Sequence, residues 1–95
     1  MLFHVSWELA EHTESAAKRV RHLLSKWEPG PAKFQGFYGF ADGGGFAIIE
    51  AASAVELAKT LAPWTPFLKY TTRVILPAQE SSEIATAAAA WRDKQ

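Results

Sequence analysis

The hydrophobic pattern of the chain opens with period two. Between Leu2 and Leu9, the apolar Phe3, Val5, Trp7 and Leu9 alternate with His4, Ser6 and Glu8. Alternation of aromatic and β-branched residues with polar ones predicts a strand with one wholly apolar face. The period then lengthens. Ala16, Ala17, Val20, Leu23, Leu24 and Trp27 make one helical stripe, with Lys18, Arg19, Arg21, Ser25 and Lys26 on the other side. Thr13 is the expected N-cap and Glu14 suits the first turn, while Glu28-Pro29-Gly30-Pro31 stops the helix.

Phe34 to Ala51, FQGFYGFADGGGFAIIEA, predicts two strands joined by a hairpin. Asp42-Gly43 or Gly43-Gly44 suits a two-residue turn, which needs positive φ angles. Either turn places Phe34, Gly36, Tyr38 and Phe40 on one face with Ala47, Ile49 and Ala51. Gln35, Phe37 and Gly39 then share the opposite face with Phe46, Ile48 and Glu50. A three-residue loop would invert one strand relative to the other, because side chains alternate with period two.

Ser53 to Glu56 fits a capping box, followed by a helix whose buried stripe is Ala54, Leu57, Ala58 and Leu61. Pro63 and Pro66 bracket its end. Tyr70 to Leu76 reads as a further strand, with Tyr70, Thr72, Val74 and Leu76 opposing Thr71, Arg73 and Ile75, and Pro77 closes it. Ser81 or Ser82 is the expected cap of a last helix with a stripe of Ile84, Ala87, Ala88 and Trp91.

The order β-α-β-β-α-β-α over residues 1–95 predicts one α+β domain, ferredoxin-like βαββαβ with an extra C-terminal helix. Its four-stranded antiparallel sheet has strands one and three at the centre and helices on one face. The helix side gathers Phe3, Val5, Trp7, Tyr38, Phe40, Ala47, Ile49, Val74 and Leu76 as a core. The far side gathers His4, Ser6, Glu8, Gln35, Phe37, Phe46, Ile48, Glu50, Thr71, Arg73 and Ile75. Such a face is too apolar to stand open to water. A second copy stacked sheet on sheet is the economical cover, so a homodimer is expected.

Charge and composition narrow the partners. Ten basic and ten acidic residues cancel, with no run of either sign, which argues against nucleic acid and anionic membranes as partners. Without cysteine there is no disulfide, thiol catalysis or cysteine-bound metal. His4, His12 and His22 match no metal-binding spacing, so no metal is expected and no cofactor is required. No apolar run approaches the ~20 residues of a membrane span, and no basic segment precedes the short apolar start, so the chain is expected to be cytoplasmic.

The order of elements, together with Gly36, Gly45-Phe46-Ala47-Ile48-Ile49-Glu50, Trp64, Leu68-Lys69-Tyr70 and the strand end at Leu76, resembles domain-of-unknown-function family 3303. The resemblance runs from about Leu2 to Ile84. That family is grouped with the ferredoxin-like dimeric α/β-barrel proteins, so the resemblance implies that fold and a dimer, and no particular activity. Where the family more often has a basic residue, an aromatic and a histidine, Phe37, Tyr38 and Gly39 stand here, and Thr71 replaces a customary acidic residue.

Candidate chemistry gathers on the far face. His4, Glu50 and Arg73 are the candidate catalytic set: Arg73 to hold a carboxylate or phenolate, His4 or Glu50 to move a proton. Ser6, Phe37, Phe46, Ile48 and Thr71 are the candidate ligand-binding residues. The competing reading makes Arg73 and Glu50 an ion pair inside a dimer interface, with His4 hydrogen-bonded nearby. A second pocket, between helix and sheet, would use Trp7, Trp27, Trp64 and His22, as related haem-binding or monooxygenase barrels do. Large aromatics in a small domain are more simply core. The glycine run precedes a strand and not a helix, so it is not a phosphate loop. Gly45-Phe46-Ala47-Ile48-Ile49 is similar to the RNP1 motif of RNA-recognition domains, with Phe46 and Phe37 as stacking platforms. Gly44, Ile48 and Ala51 stand where that motif has a basic residue and two aromatics. The leading expectation is therefore a small homodimeric protein that binds a compact small molecule. The alternatives are a monooxygenase- or isomerase-like enzyme, an RNA-recognition-like module, and a purely structural or regulatory dimer.

Overall fold

A computed structural model describes all residues from Met1 to Gln95. The elements run β1 (Leu2–Leu9), α1 (Glu14–Lys26), β2 (Lys33–Gly39), β3 (Gly45–Glu50), α2 (Ala54–Leu61), a 3-10 turn (Ala62–Trp64), β4 (Leu68–Ile75) and α3 (Ala78–Asp93). The four strands form one antiparallel sheet in the order β2-β3-β1-β4, so β1 and β3 are central. This is the ferredoxin-like α+β arrangement with an added C-terminal helix. No helix is long and apolar enough to cross a membrane.

The helix starts follow from their caps. Thr13 Oγ1 accepts from the Ala16 amide at 3.1 Å, and Ser53 Oγ accepts from the Glu56 amide at 3.1 Å. The Glu56 carboxylate reaches one residue further than a standard capping box, accepting from the Ala52 amide at 2.9 Å. The last helix departs from expectation. It begins at Ala78 directly after Pro77, so Ser81 and Ser82 lie inside it and neither is its cap. Pro77 fits that boundary because a proline N–H is not missed before a helix start.

The core lies between the sheet and α2. Phe3, Val5, Ala47 and Ile49 project from the central strands and meet Ala32, Ala51 and Leu57, with Trp7, Phe34, Leu61 and Tyr70 packed at its margin. Buried Thr60 ties the segment after α1 to α2, its hydroxyl lying 3.0 Å from the Pro29 carbonyl and 3.2 Å from that of Glu56. Pairings Trp7↔Tyr70, Val5↔Thr72 and Phe3↔Val74 put Tyr70, Thr72 and Val74 on the helix side of the sheet, the expected facing.

The hairpin differs from the expected two-residue turn. Phe40 N–H donates to Gly44 O at 2.9 Å and Gly43 N–H to Phe40 O at 3.1 Å, which closes a three-residue loop, Ala41-Asp42-Gly43. An odd loop inverts the facing. Tyr38 therefore opposes Phe46 on the far side, and Phe37 opposes Ala47 on the helix side. Phe40 also tilts over Phe46 and leaves the core to which the alternation assigned it. A β-bulge between Phe34 and Gly36 then inserts one extra residue, Gln35, and restores Phe34 to the helix side opposite Ile49. Gly36 moves to the far side, opposite Ile48.

Two further expected core residues are not covered. Val74 is 58% exposed, and Leu76 is exposed beside it. The stripe of α3 is equally bare, with Trp91 64% exposed and Ile84 also open. The radius of gyration is 17.3 Å, against about 12 Å for a compact domain of this length. The excess is α3, which projects from the body.

Gly44 and Gly30 both have positive φ, at 72° and 77°. A Cβ on Gly44 would collide with the Trp7 carbonyl, whereas nothing lies within 4 Å of one on Gly30. Gly30→Ala should therefore lose only the left-handed backbone cost, about 1–2 kcal/mol. Gly44→Ala should lose clearly more, because the obstacle is backbone. Urea unfolding of the two variants checks this, and equal losses would contradict the hairpin's close approach to β1.

Candidate functional site

Each face of the sheet carries its own aromatic assembly. On the far side, neither α1 nor α2 covers the strands. The Phe46 ring stacks against Tyr38, with centroids 5.1 Å apart, and against His4 at 5.3 Å, with Phe40 at 5.8 Å. Three strands thus supply one continuous layer of rings. Tyr38 is 57% exposed within it. Gly36 makes this possible, since a Cβ there would stand 2.9 Å from the Tyr38 ring.

The polar candidates border this layer. His4 lies directly between Ile48 on β3 and Arg73 on β4, and Ser6 lies between Phe46 and Thr71. The Ser6 hydroxyl reaches the Thr71 carbonyl at 3.5 Å, and both residues line an open groove of about 410 Å³ with Asp42 and Lys69. Glu50 stands one row away, opposite Leu2, and its carboxylate accepts from Gln35 Nε2 at 2.8 Å. The structure therefore joins His4 to Arg73 and Ser6 to Thr71, and gives Glu50 to the bulge residue. No three His, Asp or Glu side chains converge closely enough to hold a metal ion.

Phe37, assigned by alternation to this far face, belongs instead to the helix side. It stacks on Trp7 at 5.3 Å and meets the Phe34 ring edge-on at 5.5 Å. The chain of rings continues from Phe34 to Trp27 at 5.6 Å and from Trp27 to Trp64 at 5.4 Å, both perpendicular. These rings line a hollow of about 130 Å³ between α1 and the sheet, open to solvent beside the exposed Phe37 and Leu24. Trp7, Phe34, Phe37 and Tyr70 form its floor, Val20, Leu24 and Trp27 one wall, and Leu61 and Trp64 an end. Every lining residue is hydrophobic. His22, a candidate for this pocket, is exposed and does not line it. A wider hollow of about 710 Å³ under the β1–α1 loop is a surface groove, lined mainly by exposed residues such as Glu11, His12 and Glu14.

Two of the lining residues carry polar groups. The Trp64 indole N–H is buried and has no acceptor. An unpaired buried donor costs about 1–3 kcal/mol. The Tyr70 phenol is partly buried, and that burial pushes its ionisation above the ordinary tyrosine range. Sequence reasoning named Trp7, Trp27 and Trp64 together but missed Phe34, Phe37 and Tyr70. For Phe37 the signal is the loop length that turns it inward, whereas alternation already set Phe34 and Tyr70 on the helix side.

The family model described as domain of unknown function (DUF3303) matches residues 1–92. The chain belongs to this family. A comparison with curated proteins found no match. In this DUF3303 domain the family-like segment Gly45 to Glu50 is the central strand β3, which divides the two aromatic assemblies: Phe46 and Ile48 face one, Ala47 and Ile49 the other.

The pH dependence follows from Tyr70. Its phenol ionises at higher pH folded than unfolded, so the folded state is favoured while the group is neutral. That contribution is fully present below the unfolded pKa of about 10 and is lost as pH rises beyond it. Wild type should therefore lose thermal stability above about pH 10 more steeply than Tyr70→Phe. Parallel pH profiles of the two would contradict the burial of the phenol.

Proposed function

We infer that this DUF3303 domain works as a homodimer, stacked through the far faces of its sheets, and binds a compact aromatic small molecule between α1 and the sheet. One observation carries the ligand reading: a hollow of about 130 Å³ between α1 and the sheet whose lining is wholly apolar. A site of that size and lining suits a single aromatic ring.

The far face supports the dimer. Its ring layer of Tyr38, Phe46, Phe40 and His4, extended by Ile48 and Ile75, is the kind of contiguous apolar surface that marks an interaction site. Zero net charge lets like copies approach without repulsion. His4 beside Arg73 would serve oxygenase- or isomerase-like proton chemistry only with a substrate held at that face. No enclosed pocket stands there in one chain, so the binding reading ranks first. The ring layer is also the one feature favouring RNA, against which the balanced charge weighs.

The experiment is an NMR titration of the protein with toluene, a single apolar ring. Toluene should shift the resonances of Trp7, Trp27 and Trp64, and Phe37→Ala should weaken binding about tenfold, the worth of one aromatic contact. No shift at the three tryptophans, or shifts confined to far-face residues, would overturn the pocket assignment. An oligonucleotide shift abolished by Phe46→Ala would favour the RNA reading instead.

A further inference from the structure

We propose that the Tyr70 hydroxyl is the polar anchor of the hollow between α1 and the sheet, donating a hydrogen bond to a neutral single-ring ligand that carries one acceptor. The inference rests on the ligand reading of that hollow and adds to it a residue that decides which rings are preferred.

Six aromatic residues line the hollow, and five are joined ring to ring, from Trp7 through Phe37, Phe34 and Trp27 to Trp64. Tyr70 stands outside that chain of rings. It pairs with Trp7 across β1 and β4, so its side chain rises on the helix side. Strand side chains stand roughly perpendicular to the sheet, which carries the hydroxyl, at the far end of the ring, up from the floor toward the level of α1. The one fully buried side-chain polar atom without a partner is Trp64 Nε1. The Tyr70 oxygen, which also has no hydrogen bond within the chain, therefore keeps open surface. Burial nonetheless raises its ionisation, with no neighbouring charge contributing. An oxygen that is open yet poorly hydrated lies in an apolar recess, and the hollow is the recess that Tyr70 lines on the helix side.

The chemistry of the ligand follows from what surrounds this group. Small-molecule pockets are mostly apolar and use a few polar groups to fix orientation. No charged side chain lines the hollow, so a charged ligand would lose its hydration without gaining a counter-ion. A neutral phenol donates one hydrogen bond, and its raised ionisation keeps the proton in place. The Trp64 N–H, by contrast, has no open surface, so a ligand in the hollow does not reach it. The volume of about 130 Å³ holds one ring with a small substituent. A neutral ring bearing a carbonyl, ether or nitrile acceptor meets these conditions.

Benzonitrile and phenylacetylene test the anchor, since the two match in shape and differ in the acceptor. NMR titration of the protein with each compound, in wild type and in Tyr70→Phe, gives two affinity ratios. Loss of the hydroxyl should move the ratio about fivefold against benzonitrile, the worth of one neutral hydrogen bond. The nitrile stretch of bound benzonitrile should also fall in frequency in Tyr70→Phe, a change that a merely structural role of Tyr70 would not produce. An unchanged ratio, with both compounds still shifting Trp7, Trp27 and Trp64, would overturn the Tyr70 assignment and leave the hollow as the binding site. No shift at those tryptophans with either compound would remove both readings.

Discussion

Side chains on a strand alternate strictly, so a slip of one residue exchanges the two faces of a sheet. Two such slips act on the edge strand β2, one within it and one in the loop that follows it. The three-residue loop Ala41-Asp42-Gly43 inverts Gly36 to Phe40, and the bulge at Gln35 turns Phe34 back. Both aromatic assemblies depend on this pair of irregularities. The loop sends Tyr38 out to stack on Phe46 and turns Phe37 in to stack on Trp7. The bulge keeps Phe34 beside Trp27, closing the inner chain of rings. With a two-residue turn, Phe37 would leave the pocket floor and the far face would lose Tyr38 and Phe40.

A sheet with aromatic rings on both faces asks for more cover than one chain of this length supplies. Only ten of the 95 residues are buried, and the helices supply a core on one side alone. Burial of apolar area is worth roughly 25 cal/mol per Å², so leaving the far-face rings, the β4 end and the α3 stripe in water forgoes a large share of the available stabilisation. On the homodimer proposal, a second copy supplies the missing cover on the far face. The hollow between α1 and the sheet is lined by one chain alone, so the proposed ligand binding and the proposed assembly can be measured independently.

The topology was legible because it rests on long periodic runs. Phe3 to Leu9 alternates without a break, α1 shows a full helical stripe, and the caps at Thr13 and Ser53 stand where side-chain oxygens are needed. The pairing of β4 with β1 followed from the βαββαβ order of elements. The hairpin was not legible. Three consecutive glycines permit several turn frames of identical composition, and only backbone hydrogen bonds distinguish an even loop from an odd one. Nothing in Phe34-Gln35-Gly36 announces a bulge except the glycine itself. The stripe of α3 was visible too, but periodicity shows that a helix has an apolar face without showing what that face meets. For the same reason the candidate residues divide. His4, Ser6, Phe46, Ile48, Thr71 and Arg73 lie together on the far face as alternation required, while Phe37 crosses to the pocket and Glu50 turns to Gln35.

The central claim is that a second copy covers the far face, and sedimentation equilibrium of the wild-type protein beside Phe46→Glu tests it most directly. Phe46 is the ring on which His4, Tyr38 and Phe40 all converge, and it contributes nothing to the core beneath β3. Wild type should sediment at micromolar concentration with about twice the 10.5 kDa mass of one chain, and Phe46→Glu should sediment as a folded monomer. A wild-type protein of single-chain mass, or a Phe46→Glu dimer as tight as wild type, would contradict the account.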